Sequence, residues 1–188
     1  MRQLRTIRVA CALGVLAGIS GCASNSNYAA RDTRLPAPQQ LPEPVLATGS
    51  PAAAINRGIG QGETIWHLRS ALNVAALSCR QKQENQIATN YNRMLRQHRA
   101  VLADAYSQEQ NQFRSRYGSN WQGRQDRHMT SVYNFFANPV ATRQFCAAAM
   151  VVSARINQLS TDQFKGYASP ALAQLERPLL MARSLSRR

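Results

Sequence analysis

Between Glu63 and Tyr117 the chain carries no glycine and no proline, and apolar residues recur at helical spacing throughout. A stretch so free of turn formers has few options besides helix. Ile65, Leu68, Leu72, Ala75, Ala76 and Cys79 fall on one face of a first helix, and the polar run Arg80 to Gln86 predicts a break or turn. Ile87, Tyr91, Met94, Leu95, His98, Leu102, Ala105 and Tyr106 form a second stripe that fades toward Phe113 and Tyr117. One long bent helix and two separate helices both fit. A hairpin fits better, because a single helix of ~55 residues is unusual in so small a domain.

The rest of the chain supports the same class. Gly118 to Gly123 reads as a loop, and a third helix carries Met129, Val132, Tyr133, Phe135 and Phe136 and stops before Asn138-Pro139. A fourth, through Phe145, Cys146, Ala149, Met150, Val152 and Ile156, has a near-continuous apolar face and is expected at the centre of the bundle. Ser160 with Gln163 three residues on predicts a capping box for a fifth segment. Ser169-Pro170 predicts a restart into a short last helix ending at Arg177-Pro178. No stretch alternates as a strand does. The expected fold is all-α: a small bundle of four to five helices over residues 63–182, with a basic tail at 183–188.

The N-terminus is different in kind. Arg2, Arg5 and Arg8 precede an apolar or small run from Val9 to Ile19, too short to span a bilayer, which takes ~20 apolar residues. The run ends in Ile19-Ser20-Gly21-Cys22, which resembles the lipobox of bacterial lipoprotein precursors. That resemblance implies a signal peptide over 1–21, diacylglyceryl transfer to the Cys22 thiol, cleavage before it and acylation of its new amine. Several acyl chains, at ~0.8 kcal/mol per buried CH₂, anchor a protein stably where one does not. Ala23 is not the Asp associated with inner-membrane retention, so the resemblance favours the outer membrane, with the domain facing the periplasm. From Cys22 to Gly62 the chain reads as a disordered tether: Pro36, Pro38, Pro42, Pro44 and Pro51 interrupt it, and Gly58, Gly60 and Gly62 read as a flexible joint.

That address changes how charge and cysteine are read. The formal charge of +14 drops to about +11 once the three signal arginines leave. Such a balance would suggest nucleic acid in a cytosolic protein. In an exported one it points to the membrane, lipopolysaccharide, peptidoglycan or acidic envelope proteins, and nucleic acid is not expected. Of the four cysteines, Cys11 leaves with the signal and Cys22 is lipidated. Cys79 and Cys146 remain, and in an oxidising compartment they are expected to form one disulfide, worth roughly 4 kcal/mol on the chain-entropy view.

Leu72-Asn73-Val74-Ala75-Ala76-Leu77-Ser78-Cys79, Tyr91-Asn92, Tyr133-Asn134 and Phe145-Cys146 together resemble a group of small exported alphaproteobacterial proteins. The resemblance implies one domain with a Cys–Cys pair and carries no site.

Candidate chemistry is sparse. The three histidines, His67, His98 and His128, fall on separate segments, without the close pair of an HExxH site, and read as surface or packing residues. No metal, cofactor or catalytic residue is expected. Glu63, Glu84, Glu109 and Glu176 are scattered, with Asp104 five residues before Glu109, and read as solvated charges or partners of the abundant arginines. The best interaction candidate is an anionic-ligand patch of Arg114, Arg116, Tyr117, Trp121, Arg124 and Arg127, where guanidinium groups alternate with rings. The expected role is therefore a lipid-anchored envelope protein with a non-enzymatic binding or structural function, docking a protein complex or the cell wall. The alternatives are a small cell-wall-active enzyme with one essential glutamate, or an electrostatic binder of anionic ligands.

Overall fold

The structure, a computed structural model, describes residues 49, 51–80, 85–139 and 142–186. The lipobox, Cys22 and most of the proline-rich segment lie outside the described residues. Among those described there are six α-helices and no strand: α1 Gln61–Ser78, α2 Asn85–Gln97, α3 Arg99–Tyr117, α4 Trp121–Phe136, α5 Thr142–Ile156 and α6 Thr161–Leu185. A 3₁₀ turn, Gly118–Asn120, joins α3 to α4. None of these helices is long and apolar enough to cross a membrane.

The central element is α1, not the expected fourth helix. It touches every other helix and buries residues all round its circumference, from Glu63 and Thr64 through His67, Leu68, Ser70 and Leu72 to Ala75. Four of those are polar, which disguises a largely buried helix as an amphipathic one. The neighbouring faces supply Ile87 and Met94 from α2, Phe136 from α4, Phe145 and Ile156 from α5, and Phe164, Leu172 and Leu175 from α6, all fully buried.

The expected flexible joint is a packed helix start. Gly62 lies in the first turn of α1, where a methyl in place of its hydrogen would stand 2.7 Å from Gln108 Cβ and 3.2 Å from the Ala105 carbonyl. Only glycine permits so close an approach of α1 to α3. The folded unit also begins before residue 63, since Ala53 and Asn56 are buried.

The second stripe is one bent arm. α2 and α3 meet at His98, whose φ and ψ of −108° and 24° leave the helical region. Helical hydrogen bonds continue on both sides, from His98 N–H to the Met94 carbonyl and from Leu102 N–H to the His98 carbonyl. With neither glycine nor proline at the bend, side-chain anchoring accounts for it. The His98 Nε2–H donates to the Ile156 carbonyl at 3.2 Å, and the ring stacks on Phe164 at 4.4 Å.

Two further expectations change. Gly123 is inside α4 rather than in a loop. α6 begins with the predicted capping box of Ser160 and Gln163 but runs unbroken through Pro170 and Pro178. Two interior prolines at about 3 kcal/mol each cost about 6 kcal/mol, whereas burying three leucines at about 1.5–3 kcal/mol each contributes about 4.5–9 kcal/mol. Leu172, Leu175 and Leu179 are all buried beyond Pro170, and their burial offsets the cost of the prolines. The expected disulfide is present: Cys79, just past α1, bonds Cys146 near the start of α5 with Cα atoms 5.7 Å apart.

Candidate metal centre

Glu63 and His67 are four residues apart on α1, so their side chains rise from one face of it. His128 comes from α4 and meets them there. His67 Nε2 stands 2.9 Å from His128 Nε2. The Glu63 carboxylate oxygen Oε1 lies 3.3 Å from His128 Nε2 and 3.9 Å from His67 Nε2. These three donors are the one group of metal-ligand type among the described residues whose atoms all lie within 4.8 Å of one another. The point equidistant from all three lies about 2.0 Å from each, the length of a zinc bond to imidazole nitrogen or carboxylate oxygen.

Neighbouring groups orient the donors. His67 Nδ1–H donates to Asn56 Oδ1 at 2.8 Å, which leaves the Nε2 lone pair facing the other two donors. The Asn56 amide is itself fixed, because Nδ2 donates to Glu176 Oε2 at 2.9 Å. Glu176 Oε1 accepts from the Ala52 and Ala53 backbone N–H groups. The resulting chain, from His67 through Asn56 to Glu176, sets the tautomer and the ring angle as outer partners do in metal sites. On the other side Gln112 Nε2 donates to Glu63 Oε2 at 3.0 Å, so Oε1 is the oxygen left for the histidines. The Phe113 ring packs on His128 at 5.4 Å.

Protonation states suit ligation. Burial, with His128 beside it, drives His67 down to about 4 against the pull of Glu63, so its imidazole is neutral at ordinary pH. Burial raises the Glu63 carboxyl, but the hydrogen bond from His128, the neighbouring His67 ring and the Gln112 amide outweigh it and hold Glu63 below its ordinary value. Site and solvent are well separated: His67 is fully buried and Glu63 nearly so, while His128 reaches the surface through about a quarter of its side chain.

A second carboxyl belongs to this neighbourhood. Glu109 on α3 is fully buried, and neither of its oxygens has a hydrogen-bond partner. Burial pushes it up to about 7, the charge of Glu63 adds to that, and Gln125 and His128 oppose it.

Three expectations change here. His67 and His128 are not isolated packing residues, although His98 is one. Glu63, Glu109 and Glu176 are neither solvated nor paired with arginine, but buried in the interior. A donor set suited to a metal ion exists where none was expected. The sequence held one signal for it, the Glu63-x-x-x-His67 spacing on a helix otherwise rich in apolar residues. His128 and Glu109 had no such mark, since only the packing of α3 and α4 against α1 brings them in.

The basic patch is assembled in space as well as in sequence. The Arg114 guanidinium lies 4.4 Å from the Trp121 ring centre and that of Arg124 5.5 Å from Tyr117. Arg114, Arg116, Arg124 and Arg127 are exposed around the α3–α4 corner. The rings carry the guanidinium groups outside the core instead of sealing it. Compared with family models, curated proteins and solved structures, the chain matches none.

Proposed function

We propose that this is a lipid-anchored cell-envelope protein whose helical domain holds a divalent transition metal of the zinc class between Glu63, His67 and His128. One observation carries the metal reading: three donors from two helices converge on a point one zinc bond length from each, with His67 already oriented by Asn56. Two imidazoles and a carboxylate suit zinc better than magnesium or calcium, which prefer all-oxygen shells. Among the described residues no thiolate competes, because Cys79 and Cys146 are joined to each other. The envelope address rests on the lipobox at Cys22. The exposed arginine corner supports a second, compatible role, attraction of the domain to anionic envelope polymers or lipid headgroups.

Zinc titration of the full chain by calorimetry tests the metal site. Binding near one equivalent is expected, lost in His67→Ala and His128→Ala and kept in His98→Ala, whose ring serves only the helix bend. If the wild type binds zinc no better than the His67 and His128 variants, the proposal fails. For the corner, replacing Arg114, Arg116 and Arg124 together should weaken binding to anionic vesicles and flatten its salt dependence.

A further inference from the structure

We infer that Glu109 is the fourth protein ligand of the metal, making the site a closed centre of two histidines and two glutamates with no open position for water or substrate. The inference rests on the metal reading above and adds what it leaves open: whether the ion is held or put to work.

Position comes first. α1 and α3 run antiparallel, with Gly62 against Gln108 and Trp66 against Tyr106 at 4.6 Å. On α3, residues 109, 112 and 113 share a face by helical spacing. Gln112 reaches Glu63 and Phe113 packs on His128, so the face that carries Glu109 is turned to both ligands. Across it, on α4, Gln125 lies one turn before His128 and is buried beside Glu109.

The second argument is satisfaction. Buried polar groups in folded proteins have partners almost without exception, and a buried carboxyl with two unpaired oxygens needs an explanation. Every other buried carboxyl at this end of α1 has its partners: Glu63 has Gln112 and His128, and Glu176 has Asn56 and two backbone N–H groups. Glu109 has neither oxygen in a geometrically formed hydrogen bond, although the Gln125 amide stands beside it, and it shares its helix face with the residues that reach the donor cluster.

The third argument is charge. A divalent cation beside Glu63, with neutral imidazoles, keeps one net positive charge in a buried site, where an unpaired charge is costly. A second carboxylate brings the sum to zero. Glu109 is not among the donors within 4.8 Å of one another, and Glu63 and Glu109 repel each other. A cation between them reverses the sign of that interaction and draws Glu109 in. Since the first three donors nearly encircle the metal position, the remaining coordination lies out of their plane. A closed shell also fits the burial of the site, which leaves only an edge of His128 to solvent.

Cobalt(II) loaded into the full chain reports the coordination directly. In the wild type the visible spectrum should be insensitive to azide and constant from about pH 6.5 to 9, with no ionising bound water. Glu109→Gln should fold, bind zinc at least about 100-fold more weakly by calorimetry, and gain an azide-dependent change in its cobalt spectrum. Should the variant fail to fold, the azide and pH behaviour of the wild type still decides. A wild-type spectrum that shifts with azide, or a variant that binds zinc within about threefold of wild type, would overturn the inference while leaving the three-donor site intact. Absence of cobalt and zinc binding in the wild type would instead overturn the metal reading itself.

Discussion

Replacing Glu109 by glutamine should change how stability depends on pH, in a direction set by its burial. Glu109 is pushed up to about 7 in the folded protein from 4.5. Below pH 4.5 it holds its proton whether the chain is folded or not, and costs nothing. As pH rises past 4.5 the unfolded chain releases the proton while the folded chain keeps it. Stability therefore falls with rising pH until the folded group also titrates near 7, and stays level beyond. At about 1.4 kcal/mol per pH unit, that decline comes to about 3 kcal/mol. Glutamine has the same shape and no proton to lose, so Glu109→Gln lacks the decline. Urea unfolding followed by circular dichroism, with a chelator present, should show the two proteins differing by about 3 kcal/mol more at pH 8 than at pH 4. His67 slopes the other way: its stabilisation is present above pH 6.5 and lost as pH falls through about 4. It is common to both proteins and cancels in the comparison. Adding zinc in place of the chelator should abolish the wild-type decline, because the ionised carboxyl then has a partner. If the curves of the two proteins run parallel from pH 4 to 8 with chelator present, Glu109 is not held protonated by its surroundings and the reasoning is wrong.

Asn56→Ala removes the acceptor of His67 Nδ1 and a donor to Glu176 together, and should weaken zinc binding about 10–100-fold and lower stability by about 1–3 kcal/mol, read by calorimetry and urea unfolding. Asn56→Asp, which keeps the acceptor, should recover part of the affinity. Gly62→Ala should destabilise by about 1–3 kcal/mol despite alanine's better helix propensity, because α1 must move away from Gln108 and Ala105; a thermal melt equal to or above wild type would count against that close contact. Substituting Cys79 and Cys146 together by serine should cost roughly 4 kcal/mol in urea unfolding, and a loss under 1 kcal/mol would mean the bridge constrains the unfolded chain little.

Helix type and the disulfide were legible in the sequence because each depends on local or simple signals. A Gly- and Pro-free run with apolar residues every three to four positions leaves few alternatives to helix. Once the lipobox reading sets Cys11 and Cys22 aside, the two remaining cysteines have one possible pairing. What could not be read are features decided by tertiary packing. The bend at His98 depends on a carbonyl 58 residues away, at Ile156. The continuity of α6 depends on the burial of three leucines beyond a proline, a comparison of energies that local propensity does not contain. The centrality of α1 was hidden by the residues that matter most, since Glu63, Thr64, His67 and Ser70 lower its apparent hydrophobicity while being buried.

The last of these gives a reason to read the interior as a site. A domain of this size could fill the centre of its bundle with leucine and alanine at lower cost. Instead Glu63, His67, Glu109, Gln125, Asn56 and Glu176 are all buried. Buried polar groups repay their desolvation only when all of them are satisfied, and a network with one unsatisfied member is worse than an apolar core. Glu63, His67, Asn56 and Glu176 have partners from protein groups. Glu109 has neither oxygen so paired, and the charge of Glu63 adds to the cost of ionising it there. Within the protein alone, this is a defect that a single Glu-to-Leu or Glu-to-Gln change would remove. With a divalent cation among Glu63, His67, His128 and Glu109 the same residues become complementary: two negative charges meet two positive ones, both imidazole lone pairs have an acceptor, and no oxygen facing the cluster is left unpaired. One ion resolves every unfavourable feature of the cluster, which is why a ligand explains the polar interior better than a structural role does.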